Sequence, residues 1–467
     1  MTQLSPQISP DFTARRVKPS RPPGPRGVPL LGNILQFGRD QLGFLTQTQR
    51  MFGDLVSYDF AGWPTLLVNS SDDIEKVLVE DHRNFIKNRL VWRHVTALFG
   101  QGLLTAEGDL WQRNRKLAAP AFAGQQLRGY GPDIVSLSKG TVSGWKVGEV
   151  RDIHNDMMAL TLRIAAKAFM DCEVERDIAD MDHAVQDLVI ELAARFKRPV
   201  KIPDWVPLPG HLRYRRAIAT VERIIGRMIA ERRANGYHGR QDFLSRLMAA
   251  KDESEERLSD RQLRDETVTL LLAGHETTAL TLSWSFYLLG QDPGLARRLA
   301  AEIDETLGGR DATVEDLPRL KFAESVILES MRLFPPAWAI GRESIGPFQL
   351  GGYDFPAATT ILISPWVLHR DPRHFDDPES FRPERWLDGL ARRLPRFAYM
   401  PFGGGPRICI GQRFAMIEAV LILATVSQRF GVEWQRDRPV TLFPSITLRP
   451  REGVWVRLLA KAPAILH

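Results

Sequence analysis

A glycine-rich turn that carries a cysteine and runs directly into a helical pattern constrains this chain most. The turn is Phe402-Gly403-Gly404-Gly405-Pro406-Arg407-Ile408-Cys409-Ile410-Gly411, and an amphipathic helical pattern begins near Gln412. Glycine permits backbone conformations that other residues avoid, and it lets amide groups approach a single atom closely. A sulfur at the start of a helix lies in a positive field that favours the thiolate. The turn therefore predicts a cysteine thiolate held by backbone amides.

Two ordinary interpretations of this turn stay open on its residues alone. A glycine-rich turn before a helix is often a phosphate cradle or simply a turn, and a lone buried cysteine is usually inert packing. The phosphate interpretation fits poorly, because G-x-x-x-x-G-K-[ST] is absent and Ile408 interrupts G-x-G-x-x-G. A thiolate beneath haem iron, which favours cleavage of the O–O bond of bound oxygen, fits the turn better.

The five distinctive residues of the turn form a known signature. Phe402, Gly405, Arg407, Cys409 and Gly411 occupy all the defining positions of F-x-x-G-x-R-x-C-x-G. The stretch resembles the haem-binding signature of the cytochrome P450 monooxygenases. The resemblance implies haem b as the cofactor, Cys409 as the axial ligand of the iron, Phe402 as a shield for the sulfur and Arg407 as a partner of a haem propionate.

Composition places the chain among large soluble proteins. Its 467 residues suffice for several ordinary domains or one large one, and its apolar and charged fractions are those of globular proteins. Two cysteines cannot form a disulfide framework, and we expect Cys172 in the core, which indicates a reducing, cytosolic setting. The net charge of +6 has no nucleic-acid-binding motif beside it, so an acidic protein partner is the better prediction.

The N-terminal segment indicates neither a membrane span nor a secretion signal. Residues 1–20 are polar and are expected to form a poorly ordered tail, and no run of about 18 apolar residues occurs. Pro22-Pro23-Gly24-Pro25 resembles the hinge that follows the anchor of membrane-bound relatives. We predict a cytoplasmic, monomeric enzyme with a single haem domain over residues 21–467.

The order of predicted elements favours a mainly helical fold with a small β region. Runs at 55–60 and 65–68 flank a Gly/Pro turn and predict a hairpin, and helical patterns dominate from about 107 to 335. Strand-like segments return near 348–363 and 432–457. Strands at both ends with helices between them predict one helical unit whose β region joins distant parts of the chain. The family resemblance adds a long central helix above the haem, with the cysteine loop below it.

One long helix is predicted from Asp260 to about Leu289, because Pro293 forbids continuation. Its thirty residues would span about 45 Å. Its centre is Ala273-Gly274-His275-Glu276-Thr277-Thr278, where polar groups and a glycine cost free energy. The ordinary explanation is a threonine hydroxyl that bonds a carbonyl one turn back and bends the helix.

The same six residues resemble the family pattern [AG]-G-x-[DE]-T-[TS]. The resemblance implies that Ala273 and Gly274 leave room for dioxygen, that Thr277 holds a water or an oxygen atom, and that Glu276 passes protons from solvent. A hydroxyl beside a carboxylate suits the delivery of two protons during O–O cleavage. His275 is more typical of a packed side chain than of a ligand, and we assign it no role.

Three further residues are predicted to form a buried scaffold. Glu329 and Arg332 share a helix face, a pair that on most helices is weak and solvated. They resemble the family's E-x-x-R, and Arg385 resembles the arginine that closes a buried network with it. We expect this network to serve folding and haem retention.

The remaining predicted haem contacts are propionate donors. Trp111 and Arg115 resemble the W-x-x-x-R of a helix along the haem edge, and they project on one side of a helix. Arg342 is a third candidate. Each alone is typical of a surface side chain, but with Arg407 they offer two carboxylates several charged donors.

Apolar residues in the family's substrate-recognition segments predict an apolar substrate. They are Leu270, Ala273, Ala337, Trp338, Ala339, Ile340, Phe443 and Ile446. A terpenoid, steroid or fatty-acid-like molecule is expected, hydroxylated or epoxidised with one atom of O2. Arg89, Arg93 and His94 lie in a loop where they are either solvated or available to a substrate carboxylate.

The chain shows no flavin, nicotinamide or iron–sulfur signature, so electrons are expected from an external partner. Basic residues expected near the thiolate favour an acidic ferredoxin or flavodoxin, with its NAD(P)H-dependent reductase. They are Arg113, Lys116, Arg392, Arg393, Arg396 and Arg413. Two alternatives stay open: a haem-thiolate peroxygenase, isomerase or dehydratase, and a haem sensor or ligand carrier without catalysis.

Overall fold

The structure is a computed structural model, and it describes residues 21–92, 95–171, 175–197, 206–237, 239–252 and 255–461. Cys172, Arg93, His94 and the tail 1–20 lie outside these ranges, so the predictions made for them stay predictions.

Helices make up most of the described residues. Their bounds are α1 Ile34–Arg39, α2 Gln41–Phe52, α3 Ser71–Glu75, α4 Arg89–Trp92, α5 Thr96–Phe99, α6 Gly108–Ala118, α7 Gly124–Ser143, α8 Ile153–Met170, α9 Glu175–Lys197, α10 Pro209–Asn235, α11 Phe243–Ala249, α12 Asp260–Leu289, α13 Pro293–Leu307, α14 Lys321–Leu333, α15 Pro365–Leu368, α16 Glu384–Leu387, α17 Leu390–Arg393 and α18 Gln412–Ser427. Among them, none is both long and apolar enough to cross a membrane.

The strands form small sheets from distant parts of the chain. Their bounds are β1 Leu55–Phe60, β2 Trp63–Val68, β3 Phe85–Ile86, β4 Val150–Asp152, β5 Ile340–Ser344, β6 Phe348–Leu350, β7 Tyr353–Phe355, β8 Thr360–Ile363, β9 Phe430–Trp434, β10 Leu442–Pro444, β11 Leu448–Pro450 and β12 Trp455–Ala460. The largest sheet has the order β1-β2-β8-β5-β3, in which only the β2–β8 pair is parallel. A second sheet is β4-β12-β9, and β6-β7 and β10-β11 are hairpins.

The central helix α12 begins and ends where the sequence predicts. Ser259 and Gln262 form a reciprocal capping box, in which the Gln262 amide oxygen accepts from the Ser259 N–H at 2.9 Å. The helix ends before Gly290, and Pro293 starts α13. Its side chains are buried nearly all round, which is typical of a helix that crosses the core.

The main core surrounds α12. Leu271, Ala279 and Phe286 of α12 join one cluster with side chains of α7, α8, α10, α14 and α18. A smaller cluster lies between α2 and the largest sheet, and it includes Trp338. The mainly helical fold with a small β region is confirmed, and α12 is the element against which both the helical core and the hairpin β10-β11 are placed.

Candidate active site

The cysteine loop is held by backbone geometry. Gly403 and Gly405 adopt φ of +74° and +67°, a region that side chains avoid, and a Cβ on Gly405 would collide with the carbonyl of Leu78. The Cys409 N–H donates to the Phe402 carbonyl at 3.0 Å, and α18 begins three residues later. The loop is therefore fixed at both sides of the sulfur.

Cys409 is exposed in the structure. Desolvation raises the pKa of the Cys409 thiol, whereas the N–H groups of Gly411 and Gln412 and the Arg115 charge act to lower it. Arg115 also donates to the Ile408 carbonyl at 2.8 Å. Nearby N–H groups can therefore donate hydrogen bonds to a Cys409 thiolate. A further positive charge is needed before the thiolate is favoured over the thiol.

Four cations converge beside the loop. Burial lowers the pKa of Arg342 to about 10, with a further contribution from Arg407, and the pKa of Lys87 falls well below its ordinary value through burial and the charges of Arg407 and Arg342. Arg115 acts in the same direction on the pKa of Arg407. Glu107 is the one carboxylate that the described residues direct at this cluster.

The partners of this cluster fix its geometry. Arg407 donates to the Ala106 carbonyl at 2.7 Å and to the Glu107 carboxylate, and its guanidinium lies 4.3 Å from the centre of the Trp111 ring. Glu107 also accepts from the Lys87 backbone N–H at 3.0 Å. Trp111 and Arg115 come from α6, Arg342 from β5 and Arg407 from the cysteine loop. The structure therefore brings all four predicted propionate contacts to one place.

The acid–alcohol segment lies at the centre of α12. Ala273, Glu276 and Thr277 keep partial exposure, whereas His275 and Thr278 are buried. The Thr277 hydroxyl donates to the Ala273 carbonyl at 2.8 Å, so the ordinary back-bonded geometry is present as well. A Cβ at Gly274 would lie 3.1 Å from the Phe169 ring of α8, so close helix packing also favours a glycine at this position.

Glu276 is held by the hairpin β10-β11. One of its oxygens lies 2.6 Å from Nη2 and 2.8 Å from Nε of Arg449, and it also accepts from the Thr447 hydroxyl. Burial would raise the pKa of Glu276, but Arg449 and Thr447 outweigh burial and hold the pKa below its ordinary value. Glu276 is therefore ionised at neutral pH in this arrangement.

Two histidines next to this ion pair are neutral. Burial lowers the pKa of His154 and of His275 to about 4. His154 lies 3.1 Å from the Ser283 hydroxyl, while the ring nitrogens of His275 have no hydrogen-bond partner in the described part of the chain. His275 is therefore a buried, neutral side chain beside the Glu276–Arg449 pair.

The predicted pocket residues fall into two groups. Ala337, Ala339, Ile340 and Phe443 keep partial exposure and Ile446 is exposed at the tip of the hairpin. Leu270 and Trp338 are almost fully buried, and the Trp338 indole donates to the Ser445 carbonyl at 2.9 Å. Trp338 is therefore a buried side chain that is hydrogen-bonded to the hairpin β10-β11.

The predicted scaffold residues are brought together. Arg332 donates to both Glu329 oxygens, at 2.8 and 2.9 Å, and Arg385 donates to one of them at 2.9 Å. Both Glu329 and Arg332 are fully buried. Trp386 adds a donor at 2.8 Å, so the carboxylate is completely satisfied.

Four neighbours of these sites were missed. Lys87 and Glu107 join the cation cluster, and Thr447 and Arg449 hold Glu276. Thr447 and Arg449 are two apart near a predicted strand, so their shared face was the available signal. Lys87 and Glu107 carry no motif that marks them.

The comparisons with known proteins agree with this geometry. A sequence model of the cytochrome P450 family matches residues 22–456. The chain therefore belongs to the cytochrome P450 family. It is a haem b monooxygenase that uses O2, a hydrophobic substrate and a redox partner.

Individual relatives match over nearly their whole length. Cyclooctatin synthase of Streptomyces melanosporofaciens is 37% identical over 91% of this chain and 91% of its own. Pentalenene oxygenase of Streptomyces avermitilis is 32% identical over 94% of this chain and 97% of its own. The solved structure of retinoic acid bound cyanobacterial CYP120A1 has a TM-score of 0.83 and 28% identity, and covers 94% of this chain and 99% of that one.

The residues present fit haem b. Cys409 is an exposed cysteine just before a helix start, and a cluster of four cations with one carboxylate lies on the same loop and its neighbours. Two propionates would offset most of the excess positive charge.

Proposed function

We propose that Cys409 is the axial ligand of the haem iron and that Arg115, Arg342, Arg407 and Trp111 hold its propionates, with Lys87 as an additional donor. The observation that carries this assignment is the excess of converging cations beside the sulfur. Bound haem supplies O2 activation and transfer of one oxygen atom. Phe402, Gly405 and Gly411 shape the loop: the Phe402 carbonyl accepts from the Cys409 N–H, Gly405 has a positive φ, and a Cβ at Gly411 would lie 3.9 Å from the sulfur.

The test replaces the proposed ligand and, separately, an arginine outside the site as a control. We expect Cys409→Ala to lose the thiolate signature in the spectrum of the reduced, carbon monoxide-bound protein, together with oxidation. Arg436→Ala, an exposed arginine on the loop after β9, is the matched control and should leave both unchanged. Undiminished oxidation by Cys409→Ala, or haem held through nitrogen in the parent protein, would overturn the assignment.

Proton delivery falls to Thr277 and Glu276. The Thr277 hydroxyl exchanges its bond to the Ala273 carbonyl for one to a water or oxygen atom in the cavity. Glu276 takes protons only when its carboxylate leaves Arg449, because the ion pair keeps its pKa low. Arg449 therefore positions Glu276 and limits when the carboxylate is protonated.

The substrate class is a terpenoid hydrocarbon or a lightly oxidised one. The pocket residues with remaining exposure are apolar. The names cyclooctatin synthase, cyclooctat-9-en-7-ol 5-monooxygenase and pentalenene oxygenase support hydroxylation of cyclic terpenoids. A fatty acid is less well supported, since Arg89, one of its two candidate anchors, is paired with Glu343 at 3.0 Å.

A spectral screen tests the class directly. Cyclic di- and sesquiterpenes should shift the haem spin state at micromolar concentration, whereas fatty acids of similar size should require far more. Tighter binding of fatty acids, or its loss in Arg89→Ala, would reverse the order of candidates.

Electrons come from an acidic ferredoxin or flavodoxin. Arg392 and Arg413 are exposed and have no ion pair within the described residues, whereas Arg113 is paired with Asp252 at 2.7 Å and Arg396 with Glu75. The docking charge is therefore smaller than the sequence suggests. Turnover with an acidic ferredoxin should fall as salt rises, and peroxide alone should not replace ferredoxin and NAD(P)H.

A further inference from the structure

The segment 100–106, which connects α5 to α6, lies directly against the central helix α12. A Cβ on Gly102 would lie 2.2 Å from the Thr269 hydroxyl and 2.5 Å from the Asp265 carbonyl, so the close approach requires a glycine there. The segment itself contains no charged side chain. Two adjacent acids of α12, Asp265 and Glu266, contact it, and both are buried.

The first of these acids has a cation beside it. The Asp265 carboxylate accepts from the Gln101 N–H at 2.8 Å and from Arg264 at 2.8 Å. Arg264 also donates to the Leu98 carbonyl at 2.8 Å, so an ion pair and backbone hydrogen bonds act together here. Asp265 therefore has the donors that a buried carboxylate requires.

The second acid has a different environment. Oε2 of Glu266 accepts from the Leu103 N–H at 3.0 Å, but Oε1 has no hydrogen-bond partner among the described residues, which also place no cation beside this carboxyl. Asn114 of α6 lies against the same carboxyl, and its Nδ2 donates to the Gln101 carbonyl at 3.1 Å. Its Oδ1 is also without a partner in that part of the chain. Two buried acceptors without a donor cost free energy, and one proton on Glu266 would satisfy both.

The surroundings of Glu266 favour that proton. Burial raises the pKa of Glu266 to about 7, and the charge of Asp265 acts in the same direction. Hydrogen bonds from the Leu103 N–H and from Asn114 act to lower the pKa. The segment 100–106 brings no titratable side chain to this carboxyl, and α6 brings the neutral Asn114, so Asp265 is the charged group that acts on it.

The segment also connects α12 to the proposed haem site. The Ala106 carbonyl accepts from Arg407 of the cysteine loop at 2.7 Å. Ala106 lies in a small apolar cluster with Trp111 of α6, against which Ile410 of the cysteine loop packs. Movement of the segment away from α12 would therefore disturb Arg407 and Trp111, two of the proposed propionate contacts.

We propose that Glu266 is a positioning residue that holds the segment 100–106 against α12 as a neutral acid, by donating to Asn114 and accepting from the Leu103 N–H. Loss of the proton leaves acceptors facing each other beside the charge of Asp265, and the segment is released from α12. The consequence for haem retention rests on the proposed function, whereas the contact between α12 and the segment does not.

Two measurements on the haem-loaded enzyme test the proposal from about pH 6 to about pH 9. They are amide hydrogen exchange over residues 98–107, expressed as protection factors, and transfer of haem to an acceptor protein. The contribution of the proton is complete below about pH 4.5, the ordinary pKa of a glutamic acid, and is lost as pH rises through about 7. We expect the protection factors to fall, and the rate of haem transfer to rise, by roughly tenfold over this range.

Variants separate the proton from the side chain that carries it. Glu266→Gln keeps the shape, the acceptor and a donor without a titratable proton, so both quantities should stay at the low-pH values of the parent throughout. Glu266→Leu removes both hydrogen bonds, and protection should be roughly tenfold lower than in the parent already at low pH. Glu302→Gln is the matched control. Burial also raises the pKa of Glu302, which accepts from the backbone N–H groups of Phe322 and Ala323, and this variant should keep the pH dependence of the parent.

Three results would overturn the proposal. The first is a parent enzyme whose protection over residues 98–107 is independent of pH. The second is a Glu266→Gln variant that keeps the pH dependence of the parent. The third is a Glu266→Gln variant as poorly protected at low pH as Glu266→Leu, which would show that the carboxylate holds the segment. Haem held through nitrogen would count against the assignment of Cys409 alone, because the protection factors test Glu266 independently of the iron ligand.

Discussion

Two buried groups of arginines differ in how their charge is balanced. In the Glu329 network, one carboxylate accepts from Arg332, Arg385 and Trp386, and the other Arg332 N–H groups donate to backbone carbonyls, including those of His369 and Pro378. Beside Cys409, four cations face one carboxylate. The first group is complete within the protein, whereas the second has capacity for added anions. Buried charges whose partners all lie within the protein indicate a structural scaffold. Buried cations that outnumber their carboxylate partners indicate a binding site for an anionic ligand.

The largest effect is expected in the complete network. Glu329→Gln leaves two guanidiniums without a counter-charge, which should lower the free energy of unfolding by roughly 3–5 kcal/mol. Chemical denaturation followed by circular dichroism measures this loss. Glu384→Gln, which removes the half-exposed partner of Arg298, is the control and should cost about 1 kcal/mol or less. Similar losses for both variants would contradict the comparison.

The second prediction concerns the cation cluster beside Cys409, where a substitution should weaken haem retention without lowering the stability of the haem-free protein. Arg342→Leu should weaken haem retention roughly ten- to a hundredfold, because a charge-assisted partner of a propionate is lost. The haem-free protein should be as stable as the parent or more stable, since repulsion between Arg342 and Arg407 disappears. Transfer of haem to an acceptor protein and denaturation of the haem-free form measure the two effects. A haem-free variant destabilised as strongly as Glu329→Gln would show that Arg342 is a scaffold residue.

The Glu276–Arg449 pair offers a third, intermediate case, with one charge of each sign at the reacting centre. Arg449→Leu leaves burial as the main influence on Glu276, so its pKa should rise. We expect turnover to fall about tenfold and its pH profile to shift to higher pH. Arg449→Lys keeps the charge and should restore much of the profile. An unchanged pH profile in Arg449→Leu would exclude Arg449 as a positioning residue.

The smallest effect concerns a buried carboxyl that has no cation beside it among the described residues. Burial raises the pKa of Glu418, on α18, to about 8, while Thr278 acts to lower it. The folded protein therefore binds a proton that the unfolded chain releases near pH 4.5, so this contribution is complete at low pH and is lost as pH rises through about 8. Relative to Glu418→Gln, the parent should lose about 1 kcal/mol of stability between pH 7 and pH 8. A stability difference that is independent of pH would mean that Glu418 is ionised throughout.

The sequence alone predicted the features that depend only on residues close together in the chain. The limits of α12 follow from Ser259, Gln262 and Pro293, and the segment from Phe402 to Gly411 lies in the shape that its glycines require. The fold class followed from the order of such patterns. Local periodicity and capping are properties of neighbouring residues, so they are visible without the fold.

Contacts between distant segments were not visible in the same way. Arg449 reaches Glu276 across 173 positions of the chain, and Lys87 meets Arg342 and Arg407 only after β3 and β5 pair. Nothing near Gly274 showed that Phe169 would pack against it. The reduced basic charge around Arg113 and Arg396 likewise depends on acids that come from elsewhere in the chain.

The position of Arg449 has a consequence for engineering selectivity. The strand pair that carries Phe443 and Ile446 also carries the cation that holds Glu276. Reshaping this hairpin to admit a bulkier molecule would also disturb the proton supply through Glu276. A change in regioselectivity should therefore be accompanied by consumption of reducing equivalents without product formation. Libraries that keep Thr447 and Arg449 fixed while varying the tip should separate the two traits.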